Sequence, residues 1–239
     1  MKIRKKGIIL RTWKIVKRLL LYLFIAQLIY IIILKWVNPP VTLTMIGSRI
    51  HLMGSNRHFH KTWVSYKNIS SYAKLAVMAG EDQLFPEHQG FDIKSIKKAW
   101  EHNQRSKRVH GASTISQQTA KNVFLWQGRG WFRKGLEVYF TFMIEQIWGK
   151  KRILEVYLNV AQMGNGIFGI EAAAEEYYNR NAKDLNRSQA AMIAACLPNP
   201  LLYNVKSPSG YLLSRQTWIL RQMNNLQSAP DMLRLIDMP

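Results

Sequence analysis

Gly111-Ala112-Ser113-Thr114-Ile115-Ser116-Gln117-Gln118-Thr119-Ala120-Lys121-Asn122 is the stretch on which the reading of this chain turns. Thr114 and Gln117 have the spacing of a capping box, so a helix is expected to start here and run over 114–124. A glycine, two hydroxyls and the free N–H groups of a helix start form a ready anion site. Gln117 and Lys121 are four residues apart and share one helix face. Such a site suits a phosphate or pyrophosphate better than a duplex, whose readers line their bases along a recognition helix.

The surrounding charge points the same way. No acidic residue falls between Glu101 and Glu137, whereas Arg105, Lys107, Arg108, Lys121, Arg129, Arg133 and Lys134 all do. Immediately upstream lies Glu81-Asp82-Gln83-Leu84-Phe85-Pro86-Glu87-His88-Gln89-Gly90, at the end of the apolar run Leu75 to Gly80. Glu81 is the first acidic residue of the chain. A carboxylate in partly apolar surroundings has a raised pKa, which suits a general acid or base near neutral pH. The plainer explanation is that Asp82 caps a turn while Glu81 pairs with a base.

Downstream, Arg133-Lys134-Gly135-Leu136-Glu137 opens a helix that is apolar nearly all round. Glu137 is an i,i+4 ion-pair candidate there, and a carboxylate on so apolar a helix needs a partner. Lys150-Lys151-Arg152-Ile153-Leu154-Glu155 starts an amphipathic helix in which Glu155 can pair with Lys151. Gly166 to Tyr178 is rich in small residues and reads as close-packed architecture.

Helical patterning covers most of the chain after Ser71. The expected segments are 71–80, 92–104, 114–124, 132–148, 150–162, 168–178, 187–197 and 208–226. Residues 41–70 show no clear period and read as an irregular or short-stranded connection. The apolar Met45, Ile46, Ile50, Leu52 and Met53 within it could pack inside or dip into the outer leaflet of a membrane. Residues 229–239 are left without assignment. The expected organisation is a basic tail (1–18), a transmembrane helix (19–37), a membrane-proximal connection (38–70) and one mainly α domain (71–228).

That N-terminal reading rests on Lys2, Arg4, Lys5, Lys6, Arg11, Lys14, Lys17 and Arg18, followed by the apolar run Leu19 to Leu34. The run is slightly short for the ~20 residues of a bilayer span. Arg18 and Lys35 can snorkel, and Trp36 extends the span into the interface. A cleaved signal peptide is the rival, but no small-x-small cleavage site precedes the prolines. The positive-inside rule then puts the basic flank in the cytoplasm.

Over the whole chain, 34 Lys and Arg stand against 14 Asp and Glu, a formal net charge of +20. An anionic partner follows: nucleic acid, lipid headgroups or a phosphorylated substrate. Cys196 is the single cysteine and excludes an internal disulfide.

The ordered series E-D-x-x-F-x-x-H-x-G, G-A-S-T-I-x-Q-Q-x-x-K-N, R-K-x-x-E, K-x-R-I-L-E-x-Y-L-N and G-I-x-G-I-x-A-A-A-x-x-Y resembles the five motifs of the peptidoglycan glycosyltransferase family. The likeness covers residues 50 to 200, and the Gly-Ala form of the second motif resembles the monofunctional branch. No K-T-G or S-x-N motif of a transpeptidase follows.

The resemblance implies a mainly α, lysozyme-like glycosyltransferase domain with a small membrane-associated lobe, behind one N-terminal transmembrane helix. It implies Glu81 as the base that deprotonates the 4-hydroxyl of the acceptor lipid II, and Glu137 as a second glutamate assisting at the donor side. Lys121, Arg133, Lys134 and Lys150 match positions associated with the donor's pyrophosphate. Ser113, Thr114, Gln117 and Gln118 match polar positions of the cleft, and Asp82 supports Glu81. The partners implied are lipid II, the growing glycan strand and the bilayer, with no nucleic acid; cell-division or wall-synthesis proteins are further candidates. A divalent cation, magnesium or manganese, could share the pyrophosphate charge, although no residue cluster demands one. The rivals are a lytic muramidase of lysozyme-like shape and a non-catalytic, membrane-anchored polyanion-binding protein.

Overall fold

The computed structural model describes residues 2–54, 58–105, 111–128 and 130–236. Lys107, Arg108 and Arg129 of the basic stretch lie outside the described residues. The chain divides into two compact units, one up to Asn38 and one from Pro39 onward.

The first unit is a single helix, α1 (Lys2–Ile33). Its Arg11–Ile33 portion has 23 residues and a mean hydropathy of 2.0. At 1.5 Å per residue that is about 34 Å, enough for the ~30 Å hydrocarbon core. The helix runs unbroken through the basic flank and stops at Ile33, so the expected border at residue 18 is not a structural one. Leu19 to Ile25 expose their apolar side chains, as a lipid-facing helix does. Lys35 lies 5.5 Å from the Trp36 ring, an interfacial pairing at the end of the span.

The second unit begins with α2 (Leu43–Leu52) and the two-residue strand β1 (His60–Lys61). It continues through α3 (Ser71–Glu81), α4 (Ile93–Arg105), α5 (Ile115–Phe124), α6 (Trp131–Ile147) and α7 (Lys150–Val160). A small hairpin, β2 (Gln162–Gly164) and β3 (Ile167–Phe168), precedes α8 (Ile170–Tyr178), α9 (Arg187–Cys196), α10 (Gly210–Leu226) and α11 (Pro230–Ile236). The strands order as β1-β3-β2, with β1 parallel and β2 antiparallel to β3.

Two packed groups of helices make the core: α3 lies against α9, α10 and α11, and α5 lies against α6 and α7. Alanines explain how closely the helices approach. Ala73, Ala76 and Ala79 of α3 and Ala190 to Ala195 of α9 are buried, and so are Ala172 to Ala174 of α8. Small side chains let the helix axes come close enough for larger neighbours such as Leu75, Met78 and Ile193 to interlock.

Each expected helix is present within two residues of its expected ends. The connection at 41–70 is not irregular throughout. Thr42 accepts a hydrogen bond from Met45 N at 3.3 Å and caps α2. That helix divides the apolar residues that the sequence left undecided: Met45 and Leu52 are buried, while Ile46, Ile50 and Met53 are exposed. The unassigned C-terminal stretch contains α11, tied to the body where Tyr66 Oη donates to Leu235 O.

Candidate active site

Helix α3 is buried along its length from Ala73 to Ala79, and its last residue is Glu81. Asp82 leaves helical geometry at φ −162°, so Glu81 stands at the end of a buried cylinder. Gln118 Nε2 of α5 donates to its Oε2 at 2.9 Å. Arg215 Nη2 of α10 donates to its Oε1 at 3.2 Å and to Gly80 O at 3.2 Å. Burial pushes the Glu81 carboxyl above the usual range. The Gln118 and Arg215 bonds and the Arg215 charge oppose that rise, and the neighbouring Asp82 charge adds to it.

Tyr157 of α7 fixes the amide. Its hydroxyl donates to Gln118 Oε1 at 3.1 Å, which turns the NH₂ toward Glu81. Burial holds that phenol protonated, far above its ordinary pKa, and the Glu81 and Asp82 charges act in the same sense.

The residues around the second motif divide into two groups. Asp82 Oδ2 accepts from Ile115 N at 2.9 Å, at the first turn of α5. His88 Nε2 meets Asp82 Oδ1 at 2.9 Å. Gly90 N donates to His88 Nδ1 at 3.1 Å, so the proton sits on Nε2 and Asp82 accepts it. Asp82 therefore anchors the loop behind Glu81 with its oxygens engaged by protein. Thr114 and Gln117 complete the expected capping box, and Thr114 Oγ1 donates to Gly90 O at 2.7 Å. Both are buried. Ser113 and Gln118 line the cavity that also holds Glu81.

The loop closes on Gly90, at φ +91°. A Cβ there would lie 2.8 Å from Thr141 Cγ2 and 3.0 Å from Glu145 Cγ. Gly90→Ala is therefore expected to cost about 1–3 kcal/mol, read as a lowered melting temperature.

The cations gather on the other side of Gln118. Lys121 lies one turn along α5; its carbonyl accepts from Leu125 N at 3.1 Å, and its ammonium makes no hydrogen bond or ion pair with another described residue. Burial lowers its pKa; the Glu137 and Glu81 carboxylates oppose this, while Arg133 and Lys134 reinforce it. Glu137 of α6 is only 3 % exposed. It accepts from Arg133 Nη1 at 2.9 Å and from Lys134 Nζ. That is the partner set a buried carboxylate requires. Arg133 Nε is also buried, and no described residue accepts from it.

Lys150 is placed differently from its expected companions. Its Nζ meets Glu145 Oε1 at 2.7 Å and lies 4.5 Å from the centre of the Phe85 ring. Glu145 also accepts from Ser116 Oγ. Lys150 thus braces α6 and α7 against the Glu81 loop. Glu155 accepts from Arg152 Nη1 at 2.7 Å.

Two cavities meet at Gln118 and Pro198. One, of about 730 Å³, runs from Lys121 and Tyr157 to Thr44, Ser48 and His51 of α2. The other, of about 930 Å³, holds Glu81 and Ser113 opposite Tyr211, Ser214, Arg215 and Trp218 of α10. A largely desolvated carboxylate in one cavity, with a half-buried ammonium in the other on the far side of Gln118, can take a proton from one substrate and stabilise negative charge on another.

Sequence reasoning missed Arg215, Tyr157, the α10 aromatics and the α2 wall. Arg215 is separated from Glu81 by 134 residues in sequence. Nothing local distinguishes it from Arg221 on the same helix.

The transglycosylase family model matches residues 47–224. The chain is 51 % identical over 231 residues to a biosynthetic peptidoglycan transglycosylase of Shigella boydii serotype 4 (strain Sb227), covering 93 % of this chain and 96 % of that protein. It has the same identity and coverage with the biosynthetic peptidoglycan transglycosylases of Escherichia coli strains 55989 and K12 (DH10B).

Proposed function

The chain belongs to the transglycosylase family, and from that premise we propose how its cleft carries out the reaction. The enzyme is a monofunctional peptidoglycan glycosyltransferase with a mainly helical, lysozyme-like domain, and it polymerises glycan strands for the cell wall. Its substrates are lipid II and the growing strand.

Glu81 removes the proton from the 4-hydroxyl of acceptor lipid II as that oxygen attacks C1 of the donor's reducing-end sugar. The bond from C1 to the pyrophosphate oxygen breaks on the opposite face, so the anomeric centre inverts. Undecaprenyl pyrophosphate departs with the electron pair. Lys121, Arg133 and Lys134 hold that developing charge, and Glu137 keeps the last two in place. Lys150 acts through the Glu81 loop. Asp82 and Glu137 are engaged by protein donors, so neither offers a ready ligand for a divalent cation; a magnesium or manganese ion would supply only added positive charge for the departing pyrophosphate.

The apolar α1 serves as a single-pass anchor. Its basic end lies on the cytoplasmic side of the bacterial inner membrane, with the catalytic unit in the periplasm.

The observation that carries this reading is the Glu81 carboxylate lining one cavity, with Gln118 separating it from the adjoining cavity that holds Lys121. A glycosidase must protonate a neutral leaving group, whereas a pyrophosphate leaving group needs cations. The test is incubation of detergent-solubilised protein with labelled lipid II. Polymer that lysozyme digests is the expected product. Shortening of pre-formed glycan without polymer would identify a muramidase, and neither activity would leave a binding protein.

Arg215 makes a second, finer test. It opposes the burial-driven rise of the Glu81 pKa. A base works only when deprotonated, so activity falls as pH drops through that pKa. Arg215→Gln is expected to move this acid limb to higher pH, read from the pH profile of polymerisation. Arg215→Lys, which keeps the charge, should move it less.

A further inference from the structure

We infer that the exposed aromatic pair Tyr211 and Trp218 on α10 forms a stacking shelf for a pyranose ring of the saccharide substrate. The inference rests on the glycosyltransferase reading and names the saccharide side of its cleft.

Leu212, Ile219 and Met223 form the buried stripe of α10. Tyr211 and Trp218 are seven apart, so they lie over one another on a neighbouring stripe, with Ser214 and Arg215 between them. They are 45 % and 39 % exposed, so the core does not account for them. Both line the 930 Å³ cavity that holds Glu81. Tyr211 is braced by Tyr203, whose ring centre lies 5.5 Å away.

The same cavity is lined by Ser113, Gln118 and the Glu81 carboxylate. Pyranose rings present an apolar C–H face and a rim of hydroxyls. An aromatic ring offers its negative face to the C–H hydrogens, and hydroxyl, amide and carboxylate groups engage the rim. A cavity that offers both aromatic rings and polar groups is complementary to that surface. A prenyl tail would instead lay hydrocarbon against the Glu81 carboxylate and the Arg215 guanidinium. The tail is better matched by the Lys121 cavity, which Leu43 and Gly47 of α2 line together with Leu197, Pro198 and Leu201.

The test uses the full-length enzyme with undecaprenyl-linked lipid II and with a short-chain analogue carrying the same disaccharide. Trp218→Leu and Tyr211→Leu keep apolar bulk but lose the π face. Each is expected to raise KM for both substrates by up to roughly tenfold with smaller loss of kcat, while Trp218→Phe stays near wild type. An effect confined to the undecaprenyl substrate would overturn the inference and make the shelf a lipid site. A shifted acid limb in Trp218→Leu would overturn it differently, because the ring centre lies 6.0 Å from the Arg215 guanidinium and would then act through it. Kinetics unchanged in both variants would also overturn it. If wild type itself makes no polymer, the glycosyltransferase reading fails before the shelf is tested.

Discussion

Glu81→Gln is expected to lower polymerisation of lipid II roughly 10²–10⁴-fold, the usual contribution of a positioned general base. Glutamine keeps the length and shape of the side chain and can still face Gln118 and Arg215. What it loses is basicity, because an amide oxygen can accept a hydrogen bond but cannot take the acceptor's proton. The fold should survive, and a linkage argument gives the sign. Burial raises the folded-state pKa of Glu81, so its contribution to stability is fully present below the unfolded value and is lost as pH rises through the folded one. At neutral pH the charged carboxylate is therefore a burden on the folded state, and a neutral amide is not. The variant should melt at or above the wild-type temperature at neutral pH while making no strand. A clear drop in melting temperature, or activity close to wild type, would count against Glu81 as the base.

That the base is costly to the fold explains the architecture around it. The carboxylate is reached only because α3 is sheathed by α9, α10 and α11, which deliver Glu81 at the helix end with little freedom to move. Its two oxygens are then divided between one neutral donor and one cation, Gln118 and Arg215. Desolvation makes a carboxylate basic, and a single counter-charge keeps it ionised near neutral pH. Either influence alone would leave a poorer base.

The parts of this arrangement that depend on local sequence were legible, and the parts that depend on long-range packing were not. The Thr114–Gln117 box is a four-residue pattern and could be read directly. Glu137 stood out because an acid on an apolar helix must be paired, and its partners lie within four residues. Arg215, Tyr157 and Trp218 carry no such mark, since their meaning comes from helices brought together by the core. Helix α2 was hidden for another reason: its apolar residues are split between core and surface, which blurs the period. Lys150 has a packing environment that its motif position did not reveal. It lies in an ordered motif, yet its ammonium is turned to Glu145 and Phe85.

Lys121→Met should also have a large effect, with loss of roughly 10²–10³-fold in kcat, the scale seen when one charge-stabilising donor is removed. The substitution keeps an apolar stem of similar length, so the packing of α5 is conserved. Burial lowers the pKa of this lysine while the site is empty of anion. A pyrophosphate beside it reverses the balance, because the charged ammonium gains most where negative charge is greatest. That charge grows as the bond to C1 breaks, so the interaction is stronger in the transition state than with bound donor. The loss should therefore appear mainly in kcat and only modestly in KM. Lys121→Arg, which keeps the charge, should recover part of it. Ionic strength adds an independent check. A buried pair is screened less than exposed ones, so salt should continue to weaken the variant through the exposed Lys134 and the rest of the basic surface. Steady-state kinetics on lipid II at two salt concentrations read both effects. A large rise in KM with unchanged kcat would make Lys121 a docking residue and shift the leaving-group role to Arg133, whose buried Nε has no described acceptor.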